Sequence, residues 1–314
     1  MKKPPRLKKG ANIAIVSPSW GGPSVFPHIF DAGIQNLRDL GLNPVAFPTA
    51  RMDAERLYRR PDLRAKDMNA AFADTNIDGI MASIGGSDSV RILKYLDIDT
   101  LQKQPKFLMG YSDFTTLTTY LNLHGLVTFQ GPSVMAGFSQ WPSFSARYRD
   151  YVHDFLFSPQ DQGALPTFKA YSNGYPDWQD PQNTGKLATL HNNEGPRFLQ
   201  GTGTVTGELF GGCIEVLEMM KGTAFWPKRG FWQQKILFLE TSEDKPTLAS
   251  IRCWLRNYGV MGVFDALAGI CFGRAMKFTD EEKAQLDHAA HCHESGFWTY
   301  GSPADFATGH LVCD

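Results

Sequence analysis

The sequence predicts an α/β protein, with an N-terminal, mostly parallel, doubly wound sheet followed by a smaller C-terminal α/β unit. Three observations carry this. Short apolar, β-branched runs alternate with helix-period segments from residue 11 to residue 125, the order that builds a parallel sheet covered by helices. Periodicity lapses between residues 165 and 204, and a second alternation begins after it. The chain of 314 residues also exceeds the roughly 250 to 300 that one hydrophobic core usually holds.

Residues 11–16 read as a buried strand that ends at Ser17-Pro18-Ser19, ahead of Gly21-Gly22-Pro23. Helical spacing over residues 30–40 stops at Gly41, and residues 43–47 form the next strand. Residues 56–73 are a charged stretch whose inward positions are Leu57, Met68, Ala71 and Phe72. Residues 79–84 are a strand running into Gly85-Gly86, and residues 90–96 a helix. Residues 106–109 are a strand entering Gly110-Tyr111-Ser112-Asp113, followed by a helix over 115–123 that ends near Gly125. Reactive groups on such a sheet belong at the carboxyl ends of the strands.

Between residues 165 and 204, Gly, Pro, Asn, Gln and Asp cluster around positions 171–183, the texture of a linker or a binding loop. Beyond it, residues 203–210 are β-rich and end at Gly211-Gly212, 215–220 are helical, and 236–239 are a strand. Residues 251–258 are a helix and 267–272 a strand. The expected division is an N-terminal domain over 1–165, a linker and substrate loop over 166–202, and a C-terminal domain over 203–314.

The composition, 42% hydrophobic and 20% charged, is that of a globular protein. Lys and Arg number 31 against 32 Asp and Glu, so no cationic excess is present to neutralise a nucleic acid or an anionic membrane. No run of 18 apolar residues occurs, and Met1-Lys2-Lys3-Pro4-Pro5 opens no apolar signal core, so the expected location is the cytoplasm. Five cysteines without a C-x-x-C indicate reduced thiols in place of a disulfide or zinc framework.

The segment 105–116 holds most of the chemistry. A serine on a tight strand-to-helix corner is lifted from the sheet, and the backbone N–H groups after it lie at a helix start, where an oxyanion is stabilised. The motif is not Gly-x-Ser-x-Gly, because Phe114 stands where the last Gly would be, and Ser112 or Asp113 as a plain helix N-cap is the competing assignment. A nucleophilic serine needs a base and an orienting carboxylate. Of eight histidines, His310 follows a glycine in a loop of the second half. Glu240 closes the run Ile236-Leu237-Phe238-Leu239 at a strand's carboxyl end, with Glu243 and Asp244 as neighbouring alternatives. His288, His291, Cys292 and His293 invite a metal, but neither an H-E-x-x-H nor a second ligand cluster accompanies them. Gly85-Gly86-Ser87-Asp88-Ser89 matches no phosphate-binding fingerprint. No metal and no cofactor is expected.

Several segments together resemble the LD-carboxypeptidase family of serine peptidases. These are residues 13–19, Ile84-Gly85-Gly86, Pro105 through Gly110-Tyr111-Ser112-Asp113, Gly131-Pro132, residues 194–201 and 207–217, Lys221-Gly222-Thr223 and Leu237-Phe238-Leu239-Glu240. The resemblance implies a flavodoxin-like first domain and a Ser-His-Glu triad of Ser112, His310 and Glu240. It also implies an oxyanion hole made by the backbone N–H of Asp113 and of Gly86. Family substrates are peptides cut beside a D-residue, either murein tetrapeptides losing D-alanine or peptidyl-nucleotide antibiotics of the microcin C type. Trp178, in Pro176-Asp177-Trp178, resembles the tryptophan that the microcin-resistance branch stacks on a nucleobase, and a loop anchor is its other assignment.

One departure concerns the end of the sequence. The family follows its Gly-His with Thr, a Pro and a strand-forming tail, where this chain reads Leu311-Val312-Cys313-Asp314. Those residues are expected to be too few to form a strand and turn back, which makes the chain a shortened form with His310 weakly held. The expected function is a serine carboxypeptidase acting on an L,D amide bond, with murein tetrapeptide as the first substrate and a peptidyl-nucleotide as the second. A non-catalytic peptide-binding protein is the alternative class. Family analogy adds a homodimer; nucleic acid and membrane are not expected partners.

Overall fold

A computed structural model describes residues 1–158, 163–291 and 311–312. In chain order the elements are β1 (Asn12–Val16), α1 (Gly22–Val25), α2 (Pro27–Asp39), β2 (Asn43–Ala46), α3 (Ala54–Arg59), α4 (Pro61–Ala73) and β3 (Gly79–Ala82). Then come α5 (Ile98–Lys103), β4 (Phe107–Gly110), α6 (Thr115–Leu123), β5 (Phe129–Gln130), α7 (Ala146–Phe157), β6 (Ala170–Ser172) and β7 (Leu190–Asn192). The remainder are β8 (Glu208–Cys213), α8 (Ile214–Met220), β9 (Lys235–Glu240), α9 (Leu248–Val260), β10 (Gly269–Phe272), α10 (Asp280–His291) and β11 (Leu311–Val312).

The described chain forms two compact units. The first takes residues 1–158, 163–166, 175–188 and 311–312, and the second residues 167–174 and 189–291. Residues 166–202, read from the sequence as one linker and loop, are thus divided between the units, and β6 and β7 within them pair as an antiparallel hairpin.

In the first unit the sheet order is β11-β5-β4-β3-β1-β2, with β1 to β5 parallel. Consecutive residues of β1, β3 and β4 are buried. Because successive side chains on a strand point to opposite faces, this means that both faces of the sheet are covered. The chain steps from β1 out to β2 and then crosses back over β1 to β3. That reversal leaves a crevice beyond the carboxyl ends of β1 and β3, the place where α/β sheets bind ligands. The stretch 56–73 is two helices. Pro61 disfavours helical backbone at Arg60 (φ −125°, ψ 63°), so α3 stops there and α4 restarts with the proline in its first turn. Leu57, Met68, Ala71 and Phe72 are buried as expected, and so are Arg64 and Asp67 of α4. The helix read over 90–96 is a 3₁₀ helix, Ser89–Tyr95. The expectation of a strandless end is corrected: Leu311–Val312 pair antiparallel with β5.

The second unit has a parallel sheet, β10-β9-β8, with α8, α9 and α10. Its core holds Phe210, Leu217, Trp232, Leu237, Leu239, Ile251, Leu255 and Tyr258. Gly211 and Gly212, expected to end the strand, continue β8 to Cys213. Gly211 sits at φ +153°, and a side chain on it would run into the Phe238 carbonyl of β9. Among the described residues no helix is long and apolar enough to cross a membrane.

Candidate active site

Ser112 stands on the corner between β4 and α6, and the residues before it build that corner. Gly110 is the last residue of β4, and only glycine fits there, since a Cβ would strike the Phe114 ring and come 2.9 Å from the Cβ of Ala82. Tyr111 is extended (φ −148°, ψ −171°), and Ser112 then turns the chain at φ +60°. Left-handed backbone at a residue with a side chain costs about 1–2 kcal/mol. It persists only where the surrounding structure imposes it. Ser112 is half-buried, whereas Asp113 and Phe114 are buried, so of these three the serine is the one that meets solvent.

The helix-cap assignment is corrected, because no side-chain cap hydrogen bond forms at the start of this turn or of α6. The Asp113 carboxylate accepts instead from the Ser89 N–H at 2.8 Å and from the Ser19 hydroxyl. The Asp113 carbonyl accepts from the Ser89 hydroxyl at 2.7 Å. Burial pushes the pKa of this carboxyl above the ordinary carboxylate value, against the hydrogen bonds from Ser19 and Ser89, which lower it.

The turn after β3 lies against the serine. A Cβ on Gly85 would be 3.4 Å from the Asp113 nitrogen, so the Gly85-Gly86 turn passes beside the amide that follows Ser112. Gly86 has φ +148°, a conformation open to glycine, and a side chain on it would strike the Ser19 hydroxyl and Trp20. Among the described residues neither the Asp113 nor the Gly86 N–H donates a hydrogen bond. A backbone N–H directly after a half-buried serine, with a glycine turn packed against it, is the kind of arrangement that can stabilise an oxyanion.

Trp178 belongs to this same unit and sits in an aromatic group. Its ring lies 5.7 Å from Phe26 and 5.7 Å from Tyr175, and Phe26 in turn meets Trp20 at 6.0 Å. The Tyr175 and Tyr111 hydroxyls are hydrogen-bonded, which connects the group to the residue before Ser112. The Trp178 carbonyl contacts His28 Nε2 at 3.0 Å, and the indole itself is half-buried. Sequence reasoning missed Trp20, Phe26 and Tyr175. Trp20, in the loop after β1 and next to Ser17-Pro18-Ser19, was the available signal.

In the second unit Glu240 is the last residue of β9, buried, and in register with Cys213 at the end of β8. Glu243 and Asp244 are exposed, which leaves Glu240 as the carboxylate built into the strand end. The turn after it is fixed by Glu215, which accepts from the Ser242 N–H at 2.9 Å and its hydroxyl at 2.7 Å. Burial, then the charges of Glu215 and Glu240, push the Cys213 thiol far above its ordinary pKa, so it stays protonated. Glu215 was not singled out from the sequence. Among the described residues no group of three His, Cys, Asp or Glu side chains is arranged to hold a metal ion. His310, Cys292 and His293 lie outside the described residues.

The profile described as the LD-carboxypeptidase N-terminal domain matches residues 13–131, and that of the LD-carboxypeptidase C-terminal domain matches residues 206–310. A Vibrio cholerae protein that carries a provisional carboxypeptidase name is 28% identical over 279 residues, 88% of this chain and 80% of that one. The microcin C7 self-immunity protein MccF of Escherichia coli is 27% identical over 276 residues, 85% of this chain and 76% of that protein. The crystal structure of an MccF-like protein from Streptococcus pneumoniae in complex with AMP superposes with a TM-score of 0.84 at 30% identity, covering 93% of this chain and 90% of that one.

Proposed function

The chain belongs to the LD-carboxypeptidase family, and from that premise we propose that it is a serine hydrolase that cleaves the amide bond between an L- and a D-residue. The observation that carries the proposal is the backbone of Ser112: left-handed at φ +60°, at the carboxyl end of a central strand, with the glycine turn of residues 85–86 against it. A strained serine corner of this kind presents its hydroxyl for attack.

In the proposed reaction the Ser112 hydroxyl passes its proton to His310 as Oγ bonds to the substrate carbonyl carbon. Glu240 orients the imidazole and stabilises the imidazolium. The carbonyl oxygen, now an oxyanion, accepts hydrogen bonds from the Asp113 and Gly86 N–H groups. The C–N bond breaks and the amine leaves with the proton from His310; a water molecule, deprotonated in turn by His310, then bonds to the acyl carbon, the C–Oγ bond breaks, and His310 returns the proton to Ser112 Oγ. No metal or cofactor takes part in this scheme. It also carries a cytoplasmic, homodimeric enzyme, the assembly being testable by sedimentation.

A murein tetrapeptide losing D-alanine is the simplest substrate. A second one, a peptidyl-nucleotide of the microcin C type, is favoured by the aromatic group around Trp178, which offers a planar base a stacking surface. AMP in the Streptococcus pneumoniae structure supports this second substrate. The test is to incubate the protein with a murein tetrapeptide and with an aminoacyl-nucleotide amide, and to label it with a fluorophosphonate. Release of D-alanine or nucleotide, with the label on Ser112, is expected. A protein that cleaves neither and takes no label is a binding module.

A further inference from the structure

We propose that Arg64 and Asp88 are positioning residues for the oxyanion-hole turn, holding Gly86 in the conformation that aims its N–H beside Ser112. Arg64 lies on α4 among charged residues, yet its side chain is fully buried. Its Nη1 donates to the Pro18 carbonyl at 3.0 Å, the Ser19 carbonyl at 3.2 Å and Asp88 Oδ1 at 2.7 Å, while Nη2 donates to Asp88 Oδ2 at 3.0 Å. A single guanidinium therefore ties the loop after β1 to the loop after β3. The planar fork suits this, since its Nη1–Nη2 edge meets a carboxylate in two bonds while Nη1 also reaches carbonyls.

Those two loops enclose Gly86. The Trp20 N–H donates to the Gly85 carbonyl at 3.2 Å, and Ser19 Oγ is the atom a side chain on Gly86 would strike. Asp88 is followed by Ser89, whose N–H and hydroxyl hold the carboxylate and carbonyl of Asp113. Ser19 also hydrogen-bonds Asp113. The clamp thus reaches both proposed donors, Gly86 through the loops and Asp113 through Ser19 and Ser89. Gly86 at φ +148° holds one of the several conformations open to a glycine, so its surroundings decide which of them it keeps. A buried guanidinium is costly to desolvate and is a weak source of stability. Here its partners are loop atoms around the site and not core elements, so what it supplies is loop geometry.

This inference rests on the hydrolase assignment above. The test measures phosphonylation of Ser112 by a fluorophosphonate probe in the wild type, Asp88→Asn and Arg64→Lys, separating the maximal rate from the concentration at half-maximal rate. Urea unfolding is followed in parallel. Asn keeps the shape of Asp88 and one acceptor oxygen, and Lys keeps the charge of Arg64 without the fork. The expected result is a maximal rate lower by about 10²-fold in both variants, as for a displacement of about 1 Å, with the half-maximal concentration unchanged and folding retained. Variants that fold and label at the wild-type rate overturn the positioning role and leave the hydrolase assignment standing. A wild type that takes no label overturns the hydrolase assignment and the positioning role with it. Should Arg64→Lys fail to fold, the Asp88→Asn arm decides.

Discussion

Gly85 lies so close to Ser112 that a Cβ built on it falls 2.9 Å from the serine's Cβ and 3.0 Å from its Oγ. Real Cβ atoms are not found that near a neighbour, so a methyl group there displaces either the corner or the turn. Gly85→Ala is expected to lower kcat for the L,D-amide by about 10²-fold, since a shift of about 1 Å is enough. Turnover at the wild-type rate would mean that the serine does not use its present rotamer in the reaction.

The strain at Ser112 separates two inactive variants. Ser112→Ala and Ser112→Gly both remove the nucleophile and should each lower turnover by about 10⁴-fold or more. At φ +60° glycine relieves the left-handed penalty and alanine retains it, so the glycine variant should be the more stable of the two by about 1 kcal/mol. Chemical denaturation of both proteins checks this. Equal midpoints would show that the corner relaxes when the hydroxyl is gone.

Asp113 gives a pH dependence whose sign is fixed. Burial, the largest cause, raises its folded-state pKa above the ordinary 3.8. Between 3.8 and the raised value the folded state holds the proton that the unfolded state has lost, so this group's contribution to stability is full below 3.8 and is lost as pH rises through the folded pKa. Asp113→Asn keeps an acceptor for the Ser89 N–H and does not titrate. The stability difference between variant and wild type should therefore move in the variant's favour as pH rises from 4 towards neutrality. A difference that is flat with pH would show that the native carboxyl titrates normally.

Trp178 distinguishes the two substrates. If the indole stacks on a base, Trp178→Ala should raise KM for an aminoacyl-nucleotide amide by about 10-fold or more, in line with roughly 1–3 kcal/mol for base stacking. The murein tetrapeptide, which has no planar group to stack, should hardly respond. Equal effects on both would assign Trp178 to anchoring its loop through Phe26, Tyr175 and the His28 contact.

Local pattern determined a good deal of this protein. Apolar β-branched runs, proline and glycine punctuation and helical spacing fixed the alternation of strands and helices, because those signals act within a few residues. The corner at Gly110-Tyr111-Ser112-Asp113 was legible for the same reason, as was Glu240 at the end of its apolar run. What tertiary structure alone decided involves residues far apart in the chain. Gly85 meets Ser112 across two neighbouring strands, and Trp178 joins Phe26 and Tyr175 in the first unit although the sequence placed it in a separate linker. Arg64 is the sharpest case. By sequence it is one more charge on a polar stretch, and its burial follows only once α4 packs beside the loops after β1 and β3, 46 residues before it and 24 after it respectively. Charge and period report what a side chain prefers in water; which partners desolvate it depends on a topology that brings distant loops to one end of the sheet.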